Sequence, residues 1–379
     1  MSDTQVAALA RAEWDWITQR ATDYRLLPLL HAAFDQKPDW PVPVDLRDLC
    51  LKAYRHWTFR SLTMQNALLN IADTLDANGI TYAALKGASL SVEFYAAPAL
   101  RPMRDLDILV APDEAERAYS VLQEAGFAKV PGKGEWSVDR YHHLPLLQND
   151  GGVFLELHHR IAPTEWSGSL PLAQRILANA RVMNVQGKAV RMVHPTDNAL
   201  HLIVHAALQN LFDNGPVLLA DLHALAAAKA VDWEAVTAFS REHGLEPSVA
   251  LCLTLFRSAG GRAECEDATE QPVPAPLAEQ ARQLMTQDLD LHWHRHLLRK
   301  RRSLSHRLFG GIARAFRPTA RDLSRTAGRN VSGVKAARHY PGWLMAKARV
   351  YLGAEFVQGL DEEAGVDAHL VAWLYGTKR

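Results

Sequence analysis

The chain has 379 residues, 48% of them hydrophobic and 22% charged, which suits two or three globular domains and excludes a disordered chain. Its 42 basic and 42 acidic residues balance to zero net charge, and no stretch approaches the roughly 18 consecutive apolar residues of a membrane span. Three scattered cysteines give no disulfide framework, and the charged N-terminus lacks the apolar core of a signal peptide, so we expect a soluble cytoplasmic protein.

The first predicted elements are helices. Residues 1–75 are rich in Ala, Leu and Arg, and residues 46–75 keep apolar positions three and four apart, as an amphipathic helix does. After the turn signal Asn78-Gly79, the run ITYAALKG predicts a short strand, and residues 88–95 predict a helix.

Further strands follow in alternation with helices. The run DLDILV (105–110) predicts a strand, and Pro112 opens a helix that ends near Gly126. Two apolar runs, residues 143–148 and 153–159, flank an Asn-Asp-Gly-Gly turn, which indicates a hairpin. RVMNV and AVRMV predict a second small hairpin, so the sequence predicts a mixed sheet.

The pattern after Pro195 is helical again, which makes the predicted fold class α+β. The acidic, proline-rich stretch 264–276 is typical of a linker. The predicted organisation is a helical region 1–75, a core 76–194, a helical domain 195–263, the linker 264–276 and a basic helical region 277–379.

A pair of carboxylates begins the predicted strand 105–110. Asp105 and Asp107 are two apart, so both side chains project from one face, where their charges repel. A divalent cation between them, Mg²⁺ or Mn²⁺, makes this arrangement tolerable. Solvent-exposed strand starts also carry Asp-X-Asp, so the pair alone does not decide between a metal site and an exposed strand end. Because the two charges repel, we expect Asp107→Ala to abolish activity but to leave stability almost unchanged.

Other polar residues near this pair suit a phosphate ligand. Lys86-Gly87-Ala88-Ser89 joins a strand to a helix, where backbone N–H groups and the Ser89 hydroxyl can face a phosphate. Arg101 and Arg104 can neutralise phosphate charge, although an Arg beside an Asp also forms local ion pairs.

A third carboxylate lies in the apolar run VFLELHH. Glu156, flanked by Leu155 and Leu157, needs a partner or a metal if it is buried. The alternating pattern of the run also allows Glu156 to be an outward-facing residue of the strand.

Together these residues resemble the nucleotidyltransferases of the DNA polymerase beta superfamily, which have a strand, a glycine at a helix start, an Asp-X-Asp pair and a third carboxylate. The segments LKGASLSVEFY, LRPMRDLDILV, GGVFLELHHR and HLIVHAAL are similar to a bacterial family of uncharacterised nucleotidyltransferases, over about residues 60–260. The resemblance implies a polymerase-beta-like core with a small mixed sheet in a largely helical chain.

The resemblance also implies residue roles. Asp105 and Asp107 would bridge two Mg²⁺ or Mn²⁺ ions, with Glu156 as the third ligand or a general base. The implied nucleotide-binding residues are Lys86, Gly87 as the loop glycine, Ser89, Arg101 and Arg104. Ala88 departs from the superfamily, which often has Gly or Ser there, so Ser89 or the backbone must serve instead.

The function implied is transfer of a nucleoside monophosphate from an NTP, first of all ATP, to a hydroxyl of a peptide or small natural product, with release of pyrophosphate. One alternative is a toxin-type enzyme that modifies tRNA. A second is a non-enzymatic nucleotide- or peptide-binding scaffold. Each alternative involves a nucleotide, a peptide or an RNA as partner, and none involves a membrane.

Several histidines accompany these motifs. His201 and His205 are four apart on a predicted helix, but no third ligand accompanies them, which favours cleft lining or helix packing over a metal site. His142, His143, His158 and His159 flank the proposed active strands and either touch the acceptor or lie exposed at strand ends.

The C-terminal part of the chain is strongly basic. Residues 295–349 hold fifteen Lys and Arg against a single acid, Asp322. This segment is a solvated helical face or intramolecular clamp, an RNA-binding surface, or a contact for triphosphate or an acidic acceptor.

We expect residues 295–349 to fold as helices near the active cleft and to raise its positive potential. Deleting the chain after Pro276 should then weaken NTP or acceptor binding at low salt, and the difference should fade as ionic strength rises. Binding constants at two salt concentrations, on truncated protein shown to be folded, measure this. Unchanged affinity at low salt would mean that the segment does not serve the cleft.

Overall fold

The computed structural model describes residues 3–131, 141–162, 166–262, 271–288, 340–341 and 369–375. Residues 1–288 and 374–377 form one compact unit, and residues 289–373 and 378–379 form a second. All elements named below belong to the first unit. The boundaries that the sequence predicts at residues 75, 194, 263 and 276 stay predictions.

Helices account for most of the described chain. Their bounds are α1 (Asp3–Ala7), α2 (Arg11–Asp23), α3 (Leu27–Gln36), α4 (Val44–Ala77), α5 (Lys86–Glu93), α6 (Ala115–Glu124), α7 (Ser169–Ala178), α8 (Pro195–Val204), α9 (Val217–Ala227), α10 (Trp233–His243), α11 (Glu246–Ser258) and α12 (Ala275–Met285). Short 3-10 turns cover Pro98–Leu100 and Pro112–Glu114, and a π-helical turn, His205–Gln209, continues α8.

Seven strands form one mixed sheet. They are β1 (Tyr82–Ala84), β2 (Asp105–Val110), β3 (Ala128–Lys129), β4 (Leu147–Gln148), β5 (Phe154–His158), β6 (Arg181–Val185) and β7 (Lys188–Met192), in the order β3-β4-β5-β2-β1-β7-β6. β2 pairs parallel with β5 and antiparallel with β1, which pairs parallel with β7. The predicted α+β class with a small mixed sheet is confirmed.

Most sequence-predicted elements are present. The strand DLDILV has the predicted bounds, and both predicted hairpins form, as β4-β5 and β6-β7. The helix predicted over 88–95 begins two residues earlier, at Lys86. β3 was not predicted, because two exposed residues carry no alternating apolar pattern.

One face of the sheet supports the main hydrophobic core. Leu106 and Ile108 of β2 and Leu155 and Leu157 of β5 point into it and are almost completely buried. Helices α4 and α6 supply the opposing side chains of this core. Because strand residues alternate between faces, the residues between these leucines and isoleucines project from the other side.

The 34-residue helix α4 links two cores. Its second half packs on the sheet, while Leu46 and Cys50 near its start pack with α2 and α3 in a separate N-terminal cluster. At about 1.5 Å per residue, α4 is roughly 50 Å long. No helix in the described part of the chain is long and apolar enough to cross a membrane.

The basic segment 295–349 lies outside the described residues, apart from Tyr340 and Pro341. The truncation should be made further along the chain than Pro276, because α12 continues to Met285 and packs against α11. The Tyr24 hydroxyl also donates to the Gln287 carbonyl at 2.8 Å. A cut after Asp288 therefore preserves contacts that a cut after Pro276 removes.

Candidate active site

Two parallel strands place the predicted carboxylates on one face. In the β2-β5 register, Asp107 lies opposite Glu156, Asp105 opposite Phe154 and Leu109 opposite His158. Residues opposite each other in a sheet project from the same side, and so do residues two apart. The structure therefore brings Asp105, Asp107 and Glu156 to one face, away from the main core.

The three carboxylates differ in their access to solvent. The Asp107 side chain is 10% exposed, whereas 28% of the Glu156 side chain is exposed. Glu156 is therefore half-buried, so burial alone does not require it to have a partner or a metal. It borders a cleft of about 310 Å³, which is lined by Trp57, Arg60, Met103, Arg104, Asp105, Leu146, Phe154 and Glu156.

Asp107 carries two hydrogen bonds on one oxygen. Its Oδ1 accepts from Lys86 Nζ at 2.8 Å and lies 2.9 Å from His158 Nε2. Burial opposes the negative charge, but the Lys86 ammonium and His158 outweigh it and hold the pKa of Asp107 well below its usual range. Asp107 is therefore negatively charged, and Lys86 and His158 balance that charge within the protein.

The pKa values of Asp105 and Glu156 shift in opposite directions. Burial, together with the charges of Asp107 and Glu156, raises the pKa of Asp105 to about 6. Burial also works against the charge of Glu156, but a hydrogen bond from His158 outweighs it and lowers the pKa of Glu156 to about 2. The contact with His158 thus favours the charged form of Glu156, which is the form that a cation ligand requires.

His158 is the site residue whose role the sequence did not reveal. Its side chain is 2% exposed, and its Nε2 lies 2.9 Å from Asp107 and 3.5 Å from Glu156 Oε2. One oxygen of Asp107, one of Glu156 and one nitrogen of His158 lie within 4.8 Å of one another. The signal was present in the run ELH, because His158 is two residues after Glu156 on the same strand.

The start of α5 lies beside this carboxylate group. Lys86 is the first residue of the helix and has a φ of 45°, a conformation uncommon for a residue with a side chain. Its N–H donates to Asn198 Oδ1 at 3.1 Å. This contact from α8 and the ion pair with Asp107 together hold Lys86 in that conformation.

Gly87 and Ser89 occupy the first turn of α5. Gly87 is therefore in the helix and not in a preceding loop, where the resemblance would put it. A Cβ on Gly87 would lie 2.8 Å from Met103 Cγ, so any other residue there would displace the Met103 side chain. The Ser89 hydroxyl is buried and has no hydrogen-bond partner among the described residues.

The two arginines occupy different environments. Arg101 forms a bidentate ion pair with Asp221 of α9, with nitrogen–oxygen distances of 2.6 and 2.8 Å, and Tyr95 donates to the same carboxylate. Arg104 is exposed and lines the cleft next to Asp105. Arg104 is thus placed to meet a ligand, whereas Arg101 already has a buried partner.

A row of imidazole rings continues from the site. Ring centroids lie 5.5 Å apart for His142 and His158, 6.4 Å for His158 and His201, and 6.4 Å for His201 and His205. Both ring nitrogens of His201 are buried without a hydrogen-bond partner in the described chain. His201 and His205 therefore line the interior behind the carboxylates.

Comparison with known proteins identifies the family. The model of a family described as uncharacterised nucleotidyltransferase matches residues 10–261, more than half of the chain, so the chain belongs to this nucleotidyltransferase family. The resemblance to a family of uncharacterised nucleotidyltransferases is thereby confirmed. No curated protein matches the chain.

One similar solved structure is an antigenic nucleotidyltransferase-like protein from Paracoccidioides brasiliensis. It shares 19% sequence identity, and the alignment covers 42% of this chain and 72% of that one, with a TM-score of 0.29. A similarity this distant transfers no residue roles.

The structure corrects the expected stability of Asp107→Ala. Asp107 neutralises a buried lysine, and removing one member of a buried ion pair costs about 3–5 kcal/mol. We therefore expect Asp107→Ala to lower the free energy of unfolding by about that amount. The double variant Asp107→Ala, Lys86→Met should recover most of it. Chemical denaturation measures the free energy of unfolding of both variants. If Asp107→Ala leaves it unchanged, the ion pair does not contribute to stability as proposed.

The Arg101–Asp221 pair yields a second stability prediction. Asp221→Ala leaves a buried guanidinium unpaired and should lower the free energy of unfolding by about 3–5 kcal/mol. Asp45→Ala is the matched control, because both side chains of its 2.7 Å pair with Arg11 are 64% exposed, so solvent screens the pair and its loss should change stability little. Equal losses in the two variants, by urea denaturation, would refute a structural role for Arg101.

Proposed function

We propose that the protein transfers a nucleoside monophosphate from an NTP, first of all ATP, to a hydroxyl group in a reaction that depends on a divalent cation. The observation that carries this proposal is the β2-β5 register, which sets Asp107 beside Glu156 on the sheet face where α5 begins. Membership of a nucleotidyltransferase family supports the class of reaction.

The carboxylate group suits a divalent cation. Asp107 and Glu156 are both held charged, and their oxygens lie within 4.8 Å of each other and of His158 Nε2. Asp105 is two residues away on the same face and completes the set proposed for two ions. When bound, such cations neutralise triphosphate charge and lower the pKa of the attacking hydroxyl.

Lys86, Ser89 and Arg104 are the proposed triphosphate contacts. Lys86 Nζ shares Asp107 Oδ1 with His158, so a cation that binds Asp107 competes with the ammonium for that oxygen. A displaced ammonium next to the α5 N-terminus is placed to meet a phosphate. The Ser89 hydroxyl in the first turn of α5 and the exposed Arg104 guanidinium are the other proposed donors. Gly87 permits the close packing of this turn against Met103. Arg101 would support the nucleotide site indirectly, through its ion pair with Asp221.

The cleft beside Glu156 supports the acceptor proposal. Its walls combine Trp57 and Phe154 with the guanidinium groups of Arg60 and Arg104. Aromatic rings beside cationic groups suit a flat or apolar acceptor that carries an anionic group. A peptide or small natural product fits this description, and we retain it as the proposed acceptor. tRNA modification and non-enzymatic binding are the competing outcomes of the tests.

Glu156→Gln tests the reaction. The variant keeps the shape of the side chain but removes a charged cation ligand, so we expect turnover to fall at least about 100-fold. Pyrophosphate release from each NTP, with Mg²⁺ or Mn²⁺ and candidate acceptors, is the measurement. Glu124→Gln is the control, because Glu124 is exposed on α6, which packs on the opposite sheet face.

The outcomes separate the competing functions. Pyrophosphate release with a peptide or small molecule, lost in Glu156→Gln, supports the proposal. Release that requires tRNA identifies the RNA-directed alternative. NTP binding without release under any condition would leave only the binding scaffold and would overturn the proposed activity.

A further inference from the structure

The imidazole of His158 faces the same point as the two best-placed carboxylates. Its Nε2 lies 2.9 Å from Asp107 Oδ1 and 3.5 Å from Glu156 Oε2, so all three atoms converge. Burial fixes the ring, which is 2% exposed and packs against the rings of His142 and His143, at centroid distances of 5.5 and 5.7 Å. Asp105 lies outside the converging set, and its neighbour on β5 is Phe154, which offers no ligand atom.

We propose that His158 Nε2 binds the activating cation together with Asp107 and Glu156, so that this site takes a first-row transition ion, for which Mn²⁺ is the probe, in preference to Mg²⁺. The proposal rests on the proposed function, because it concerns the cation of that reaction. Mg²⁺ favours oxygen ligands and dehydrates reluctantly, whereas imidazole nitrogen suits first-row transition ions, Fe²⁺ and Zn²⁺ more than Mn²⁺, which is the nearest of the series to Mg²⁺ in its preference for oxygen. One nitrogen among the ligands therefore discriminates between the two classes of ion.

The surroundings of His158 fit a ligand role. A metal-bound imidazole carries its proton on the other nitrogen and usually donates it to an acceptor. His158 Nδ1 is buried without a partner in the described chain, and so are both nitrogens of His201, whose ring lies 6.4 Å away at 74°. A neutral imidazole has one nitrogen without a proton, so the His201 ring offers an acceptor beside His158.

This arrangement makes His201 a positioning residue. Cation binding at Nε2 would release the proton that Nε2 directs at Asp107 and Glu156, and an acceptor nitrogen of His201 would then favour the tautomer with its proton on Nδ1. Such a contact would give a partner to two of the three imidazole nitrogen atoms of His158 and His201 that are buried without one in the described part of the chain.

The test measures the bound ion directly. Full-length protein is titrated with Mn²⁺ and followed by electron paramagnetic resonance, and pulsed measurements then record nitrogen hyperfine coupling at the bound ion. We expect coupling to one imidazole nitrogen and Mn²⁺ binding at least about tenfold tighter than Mg²⁺ binding. Wild-type protein labelled with ¹⁵N-histidine should change the coupling pattern, which tests ligation without any substitution.

Two variants complete the experiment. His158→Gln should lose the nitrogen coupling and bind Mn²⁺ at least about tenfold more weakly, with a smaller loss for Mg²⁺. His223→Gln is the control, because His223 is exposed on α9. Bound Mn²⁺ without histidine coupling in labelled wild-type protein would overturn the proposal and leave the proposed function standing. Failure of both Mn²⁺ and Mg²⁺ to bind would count against the proposed function as well.

Discussion

The site depends on the parallel pairing of β2 with β5 in a single register. Side chains in a sheet alternate between faces, so a shift of one residue would turn Glu156 into the apolar core and Leu155 or Leu157 toward the cleft. The leucines and isoleucines that fill the core fix this register, because burying them stabilises only one alignment. The geometry of the carboxylates is thus a consequence of hydrophobic packing on the opposite face.

Charge balance is the second constraint on the site. Three carboxylates on one sheet face repel, and the protein offsets this repulsion with the Lys86 ammonium and the buried His158. The same contacts that stabilise the protein without a cation occupy Asp107 Oδ1. A cation that bound Oδ1 would therefore replace stabilising interactions as well as add new ones, and it would leave Lys86 available to a phosphate.

The sequence predicted those parts of the site that depend on local pattern. Alternation in DLDILV placed Asp105 and Asp107 on one face, and the hairpin signal correctly joined β4 to β5. Local pattern cannot reveal which strands pair across the sheet, so only the family resemblance implied that Glu156 lies on a strand next to Asp105 and Asp107, and the register itself was not predicted. Contacts between distant segments, such as those of Lys86 with Asn198 and of Arg101 with Asp221, left no local signal at all.

Those two contacts bear on how much of the chain the site needs. Asn198 on α8 accepts the N–H of Lys86, and Asp221 on α9 neutralises the buried Arg101, so helices that follow the sheet in sequence complete the start of α5 and the approach to β2. A fragment that ended before α8 would leave the strained Lys86 without its contact to Asn198 and the buried Arg101 without its partner Asp221. Each loss would lower the free energy of unfolding. The family match to residues 10–261 spans the sheet and these helices together. The helices therefore act as a structural part of the site, and the strands alone do not make an independent catalytic core.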